Sequence, residues 1–172
     1  MSAFLEVIAE PLDEDAVRPY GRMIAVPKGH IADFSGEGWQ CWVPLAELED
    51  GLQWQAGLVH SAARPLLVSE MESHLERPEI VFALDRPLVQ TVALPDETNL
   101  SIPDVRSVKA FVIQPGQGLF MEKGIWHGVG LPAGVEGVVY LFLLGNGELY
   151  EAGENSGWVP FAGGMVAQVR VG

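Results

Sequence analysis

Residues Ala110 to Leu144 constrain the fold more than any other stretch of the chain. An apolar run, Ala110-Phe-Val-Ile113, is closed by the turn signal Pro115-Gly116, and a second run leads through Gly118-Leu-Phe-Met121 to Trp126 and His127. Two apolar runs around a Pro-Gly turn predict a hairpin. Val138-Val-Tyr-Leu-Phe-Leu-Leu144 follows, apolar on both faces, and predicts a central buried strand. His127 is thereby placed on a strand beside the core.

The rest of the chain repeats this pattern. Leu5–Ala9, Met23–Val26, Trp39–Val43, Leu52–His60, Pro65–Met71, Glu79–Leu84 and Leu88–Ala93 read as short strands. Asp13 to Arg18 reads as a short helix capped by Asp13 and ended at Pro19-Tyr20-Gly21. Lys28 to Glu37 and Pro95 to Val105 read as loops, and acidic Pro44 to Gly51 as one helical turn. Gly145-Asn-Gly147 opens a stretch of acidic and Gly-rich punctuation, and Trp158–Phe161 and Met165–Val169 read as a last strand or tail. No linker divides the chain, so a single domain over residues 1–172 is expected. Some ten short strands without long helical periodicity predict an all-β barrel or sandwich.

Composition narrows the function classes. The net charge of −13 argues against a nucleic-acid or anionic-membrane partner, both of which need a basic face. It leaves room for a small anionic substrate held by one local cation. The single Cys41 excludes a disulfide framework within the chain and a Cys-rich zinc site, and it reads as a small buried hydrophobe. No run of eighteen apolar residues predicts a transmembrane helix, and the N-terminus lacks the pattern of a signal peptide. A cytoplasmic location is the default expectation.

Two segments carry metal-site spacing. Glu72-Ser73-His74 is followed after four residues by Glu79. Gly116 is followed after five residues by Glu122-Lys123-Gly124 and then, two residues on, by His127. These resemble the two motifs of cupin barrels, with Glu72 where the first His of the first motif stands and Glu122 where the Pro of the second stands. Leu131 replaces the expected final Asn, and Arg86 replaces a Gly. Residues two apart on a strand face the same side, so Glu72 and His74 point together into such a barrel. Two imidazoles and one or two carboxylates suit a divalent Ni, Zn, Mn or Fe ion. A shared ion would put His74 and His127 within about 8 Å of each other. Without metal, the same groups can act as a general acid and base. The plainer alternative is that His74 and His127 are satisfied core residues and that Glu72, Glu76 and Glu79 form a solvated acidic edge, which is preferred for Glu76. Trp126 reads as packing or as a pocket wall. Lys123 reads as a surface charge or a carboxylate anchor. His30 and His60 read as structural.

A closer resemblance rests on Glu72-x-His74, Glu79-x-x-Phe82, Lys109-Ala-Phe111, Gly116-Gln-Gly118 and Gly124-Ile-Trp126-His127, with Pro19-Tyr20-Gly21 before an early strand. Over Leu5 to Leu144 the chain is similar to the ureidoglycolate lyase family. The resemblance implies a cupin-like (jelly-roll) β-barrel, a homodimer, and cleavage of ureidoglycolate, a small carboxylate, into glyoxylate and urea in allantoin catabolism. For such a reaction His74 and His127 are assigned to metal binding or base work, Glu79 to the metal shell or the acid, and Lys123 to the substrate carboxylate, with the metal ligands among Glu72, His74, Glu79 and His127. The chain departs from the family pattern in Glu79, usually Gln, and in Gly128, usually His. It also lacks the family's Arg near Leu58 and its Asp-Arg near Leu144-Gly145. A different cupin enzyme (an isomerase, epimerase or dioxygenase on another small acid) and a non-catalytic ligand-binding cupin are the alternatives.

Overall fold

The Leu88–Ala93 strand is buried at all six positions, so it needs cover on both faces and partners on both edges. Its odd and even positions enter two different cores. Leu88 and Val92 pack with Phe111, Ile113, Leu119 and Val138, and Val89 and Ala93 pack with Met71, Trp126, Leu131 and Phe161. The computed structural model describes residues 4–46, 53–146 and 157–172. It shows the all-β, cupin-like barrel that the sequence predicts.

Leu88–Ala93 lies inside a nine-stranded sheet. The strand order is Val159–Pro160, Glu70–Ser73, Trp126–His127, Leu88–Ala93, Lys109–Ile113, Phe4–Pro11, Val166–Val171 and Leu67–Val68, and Leu131–Pro132 also pairs with Leu88–Ala93. Facing it is a five-stranded sheet in the order Gly21–Ile24, Gly118–Met121, Glu79–Ala83, Val138–Asn146 and Gln53–Ser61. The core between the sheets holds side chains from both, among them Val81, Phe111, Ile113 and Leu119. Each such buried side chain contributes roughly 1.5–3 kcal/mol relative to exposure. Val138–Asn146 is central in its sheet, as its apolar composition requires.

The Pro115-Gly116 turn is not a hairpin. Lys109–Ile113 pairs antiparallel with Leu88–Ala93, whereas Gly118–Met121 pairs with Gly21–Ile24 and Glu79–Ala83 in the other sheet. The turn carries the chain from one sheet to the other. Gly116 has φ +84°, which a side chain would resist. Turn chemistry specifies a reversal of direction, and the partner is chosen by burial further away. After a second turn at Gly124, φ +79°, the chain returns to the first sheet at Trp126–His127.

Other local expectations are refined. The helix is Glu14–Val17, with the Asp13 carboxylate accepting from the backbone of Asp15 and Ala16 at 3.0 and 3.1 Å. Residues 34–36 and 39–41 form a small hairpin within the expected loop and strand, and Cys41 there is half-buried rather than buried. Residues 95–96 and 99–103 form another hairpin, whose turn is held by Asp96 accepting from Thr98 and Asn99. The single strand expected over 65–71 is split at Ser69. Leu67–Val68 pairs with Val166–Val171, and Glu70–Ser73 pairs with Trp126–His127. Most of the helical turn expected over 44–51, and Gly147, lie outside the described residues. Among the described residues no helix is long and apolar enough to cross a membrane.

Candidate active site

Three strands deliver one cluster of side chains. In Glu70–Ser73 the buried Met71 faces the core, and its neighbour Glu72 lines a cavity between the sheets. His74 follows at the strand end, where its carbonyl accepts from Gly124 N at 2.8 Å. This bond ties the second turn to the Glu72 segment. His127 pairs directly opposite Glu72 in the antiparallel register. Glu79 opens the central Glu79–Ala83 strand of the facing sheet, opposite Met121 and Leu144.

The resulting geometry is tight. The His74 and His127 rings are 5.3 Å apart between centroids. Glu79 Oε2 lies 3.3 Å from His74 Nε2 and 3.6 Å from His127 Nε2. All three side chains are largely buried, with 11%, 13% and 5% of the side-chain surface of His74, Glu79 and His127 exposed. Glu72, His74 and His127 each offer a ligand atom within 4.8 Å of the others. His127 Nε2 is buried and has no hydrogen-bond partner. An unsatisfied buried nitrogen is costly unless something binds it. This donor set of two imidazoles and a carboxylate fits a divalent transition metal.

Electrostatics separate the two carboxylates. Burial pushes Glu72 up to about 7, reinforced by Glu79 and opposed by His74 and Arg77. Burial also pushes Glu79 up, but His127, the hydrogen bond to His74, and Arg77 together hold it below the usual range. Burial drives the His127 imidazole down, with Glu79 opposing and His74 adding to the shift.

The cavity has a volume of about 150 Å³. A cavity of that size holds a molecule as large as benzene. It is lined by the four residues of the cluster and also by Gln90, Tyr140, Phe142 and Trp158. Gln90 is fully buried and donates through Nε2 to the carbonyl of Gly128 at 2.7 Å. The Tyr140 hydroxyl accepts from Gly130 N at 3.2 Å, and burial, the largest effect, pushes its phenol up to about 12. Sequence spacing does not find these two, because each comes singly from a strand that reads as plain core. Period two is the only signal available: Gln90 alternates onto the same face as Leu88 and Val92. Trp126 packs with Met71 and Val89 in the second core and does not line the cavity. Lys123 is exposed on the turn and is not among the cavity's lining residues, and His30 and His60 are exposed elsewhere.

A histidine pair flanked by carboxylates, enclosed between the sheets of a cupin-like barrel, defines an enzyme-type pocket. The chain belongs to the ureidoglycolate lyase family, whose model, described as Ureidoglycolate lyase, matches residues 5–156, and it is accordingly a lyase by homology. It is 31% identical over 137 residues to a ureidoglycolate lyase from Chelativorans sp. (strain BNC1), covering 76% of this chain and 80% of that one. Among solved structures it is similar to RmlC from Streptococcus suis in complex with dTDP-D-xylose, at 16% identity and a TM-score of 0.41. That match covers 58% of this chain and 47% of the other, so the chain spans about half of that protein's length. It is also similar to dTDP-4-dehydrorhamnose 3,5-epimerase from Bacillus anthracis str. Ames, at 8% identity and a TM-score of 0.43, over 71% of this chain and 70% of that one.

Proposed function

We propose that the protein cleaves ureidoglycolate into glyoxylate and urea in the cavity around His74, Glu79 and His127. The observation that carries this reading is the position of ionised Glu79 between two buried imidazoles, in a chain of this family. The substrate carries a hydroxyl and a ureido nitrogen on one carbon. The hydroxyl must lose a proton as its C–O becomes C=O, and the C–N bond breaks as the nitrogen gains a proton. No oxidant and no water are consumed.

Glu79 is the base, because its carboxyl is held below the usual carboxylate range and it reaches both imidazoles through Oε2. Tyr140 supplies the proton to the departing nitrogen. Its phenol stays protonated, and because its oxygen already accepts from Gly130 N, its own O–H is free to donate. Glu72, His74 and His127 would hold a divalent ion, which when bound supplies positive charge beside the substrate oxygens. The apolar walls, buried Val81 with half-buried Val59 and Phe142, shield the reacting carbon from water.

In this reading the substrate is a small carboxylate, the enzyme is a cytoplasmic homodimer, and nucleic acids and membranes are not partners. The test is release of urea and glyoxylate from racemic ureidoglycolate. Both should appear in equal amounts. No release above background, with apo and metal-loaded protein both tried, removes this substrate.

A further inference from the structure

The reaction cavity offers a substrate carboxylate no cationic side chain of its own. It is lined by two carboxylates, Glu72 and Glu79, and among the described residues that line it there is no lysine or arginine. Glu72, His74 and His127 are committed to the candidate ion and Glu79 and Tyr140 to proton transfer, so no cationic side chain of the cavity is left to hold the substrate's carboxylate.

A second cavity of about 160 Å³ adjoins the first and shares two of its lining residues, Val129 and Trp158. Arg64 lines this second cavity. It lies on the connector before Leu67–Val68, is exposed, and forms no ion pair among the described residues. Its charge nevertheless acts on the phenol of Tyr140, which lines the reaction cavity. Arg77 is the other nearby cation, but it lines a closed interstice with His74, Glu79 and Glu122, and its charge acts on Glu72 and Glu79. It serves the chain's own carboxylates. Glu70 also lines the second cavity, which suits a monocarboxylate there better than a more highly charged anion.

We propose that Arg64 anchors the substrate: its guanidinium holds the carboxylate of a small monocarboxylic acid at the boundary of the two cavities, beside Val129 and Trp158, and the adjoining reacting carbon faces the first cavity. This rests on the reading of the cavity as a lyase site and names the residue that selects for an acid. A guanidinium is suited to the task because it can bind both carboxylate oxygens at once.

The experiment compares wild type, Arg64→Gln and Arg64→Lys by calorimetry with glyoxylate and with its uncharged amide. Wild type should prefer glyoxylate. Arg64→Gln should weaken glyoxylate binding by roughly 10–100-fold, the loss of a charge-assisted pair, and leave binding of the amide unchanged. Arg64→Lys should recover part of the loss. Metal content should be equal in all three, because Arg64 is not one of the candidate ligands. In turnover, the KM for ureidoglycolate should rise more than kcat falls. Equal glyoxylate affinity in wild type and Arg64→Gln, no detectable glyoxylate binding by wild type, or an equal loss for the amide would each overturn the assignment. If wild type discriminates between acid and amide through Arg64 yet releases no urea, the anchor stands and the reaction reading alone fails.

Discussion

The imidazoles of His74 and His127 stand 5.3 Å apart between centroids, inclined at 54° to each other, although they are 53 residues apart in sequence. Antiparallel pairing of Trp126–His127 with Glu70–Ser73 brings them together. Replacing either with Ala removes one candidate ligand and keeps the sheet bonds, which are made by backbone. We expect affinity for Ni²⁺ or Mn²⁺ to fall by at least about 10–100-fold in each variant. Calorimetric titration checks this, and unchanged affinity in both would dismiss the ligand roles.

Glu79→Gln preserves volume and removes charge. Turnover should fall by about 10²–10⁴-fold, the usual worth of a positioned base. The His127 imidazole, which the Glu79 carboxylate opposes being driven down, should become still harder to protonate. An NMR titration of His127 reads the second effect. If turnover survives while metal binding is lost, Glu79 belongs among the ligands and is not the base.

Tyr140→Phe keeps the ring and deletes the O–H. The Gly130 N–H loses its acceptor, a cost of about 1–3 kcal/mol in stability if it stays buried. Urea release should drop by about 10²-fold or more under saturating substrate. A variant with full kcat would assign the proton donor elsewhere.

Glu72 makes stability fall as pH rises. Its native pKa is raised from 4.5 to about 7, so between those values the folded state binds more protons than the unfolded state. The slope of unfolding free energy with pH is therefore negative across that window. The full effect is about 3 kcal/mol, reached above pH 7 in metal-free protein. Glu72→Gln should flatten the curve and be the more stable protein at pH 8. Urea unfolding in the presence of chelator from pH 5 to 8 decides it, and parallel curves would reject the assignment.

Gly21 allows two strands to meet. A Cβ there would lie 1.8 Å from the carbonyl oxygen of Phe120, a backbone atom that cannot step aside. Gly21→Ala should cost about 3 kcal/mol or more, because the Gly21–Ile24 edge must separate from Gly118–Met121. A melting temperature within a degree of wild type would show that the strand pair accommodates the methyl group.

Glu72, His74, Glu79 and His127 are legible in the sequence because each follows from local rules. Period two sets Glu72 and His74 on one face, and Gly124 sets the turn that returns His127 to the sheet. Gln90, Tyr140 and Trp158 are not legible, because each reaches the cavity through the pairing of strands distant in sequence. The same limit explains Pro115-Gly116, where the turn is legible and the strand partner is not. Val138–Asn146 is legible because its centre is an unbroken apolar run, and Leu88–Ala93 because apolar residues flank its buried Gln90 and Thr91. Residues 34–36 and 99–103 are short and of mixed composition, and the second pairs across a turn that the Asp96 carboxylate holds, which composition hides.

Phe4–Pro11 lies parallel to both of its neighbours, Lys109–Ile113 and Val166–Val171. The first of these is made about a hundred residues later in the chain, the second about a hundred and sixty. On the ribosome the opening strand therefore emerges with both edges vacant and has nothing to pair with until most of the chain has followed. Such long loops close slowly, and an unpaired strand invites the wrong neighbour. Once both partners arrive, Glu6 and Glu10 meet Arg170 and Lys109 on them at 3.0 and 3.7 Å, so each late-made neighbour brings a charge that matches the waiting strand.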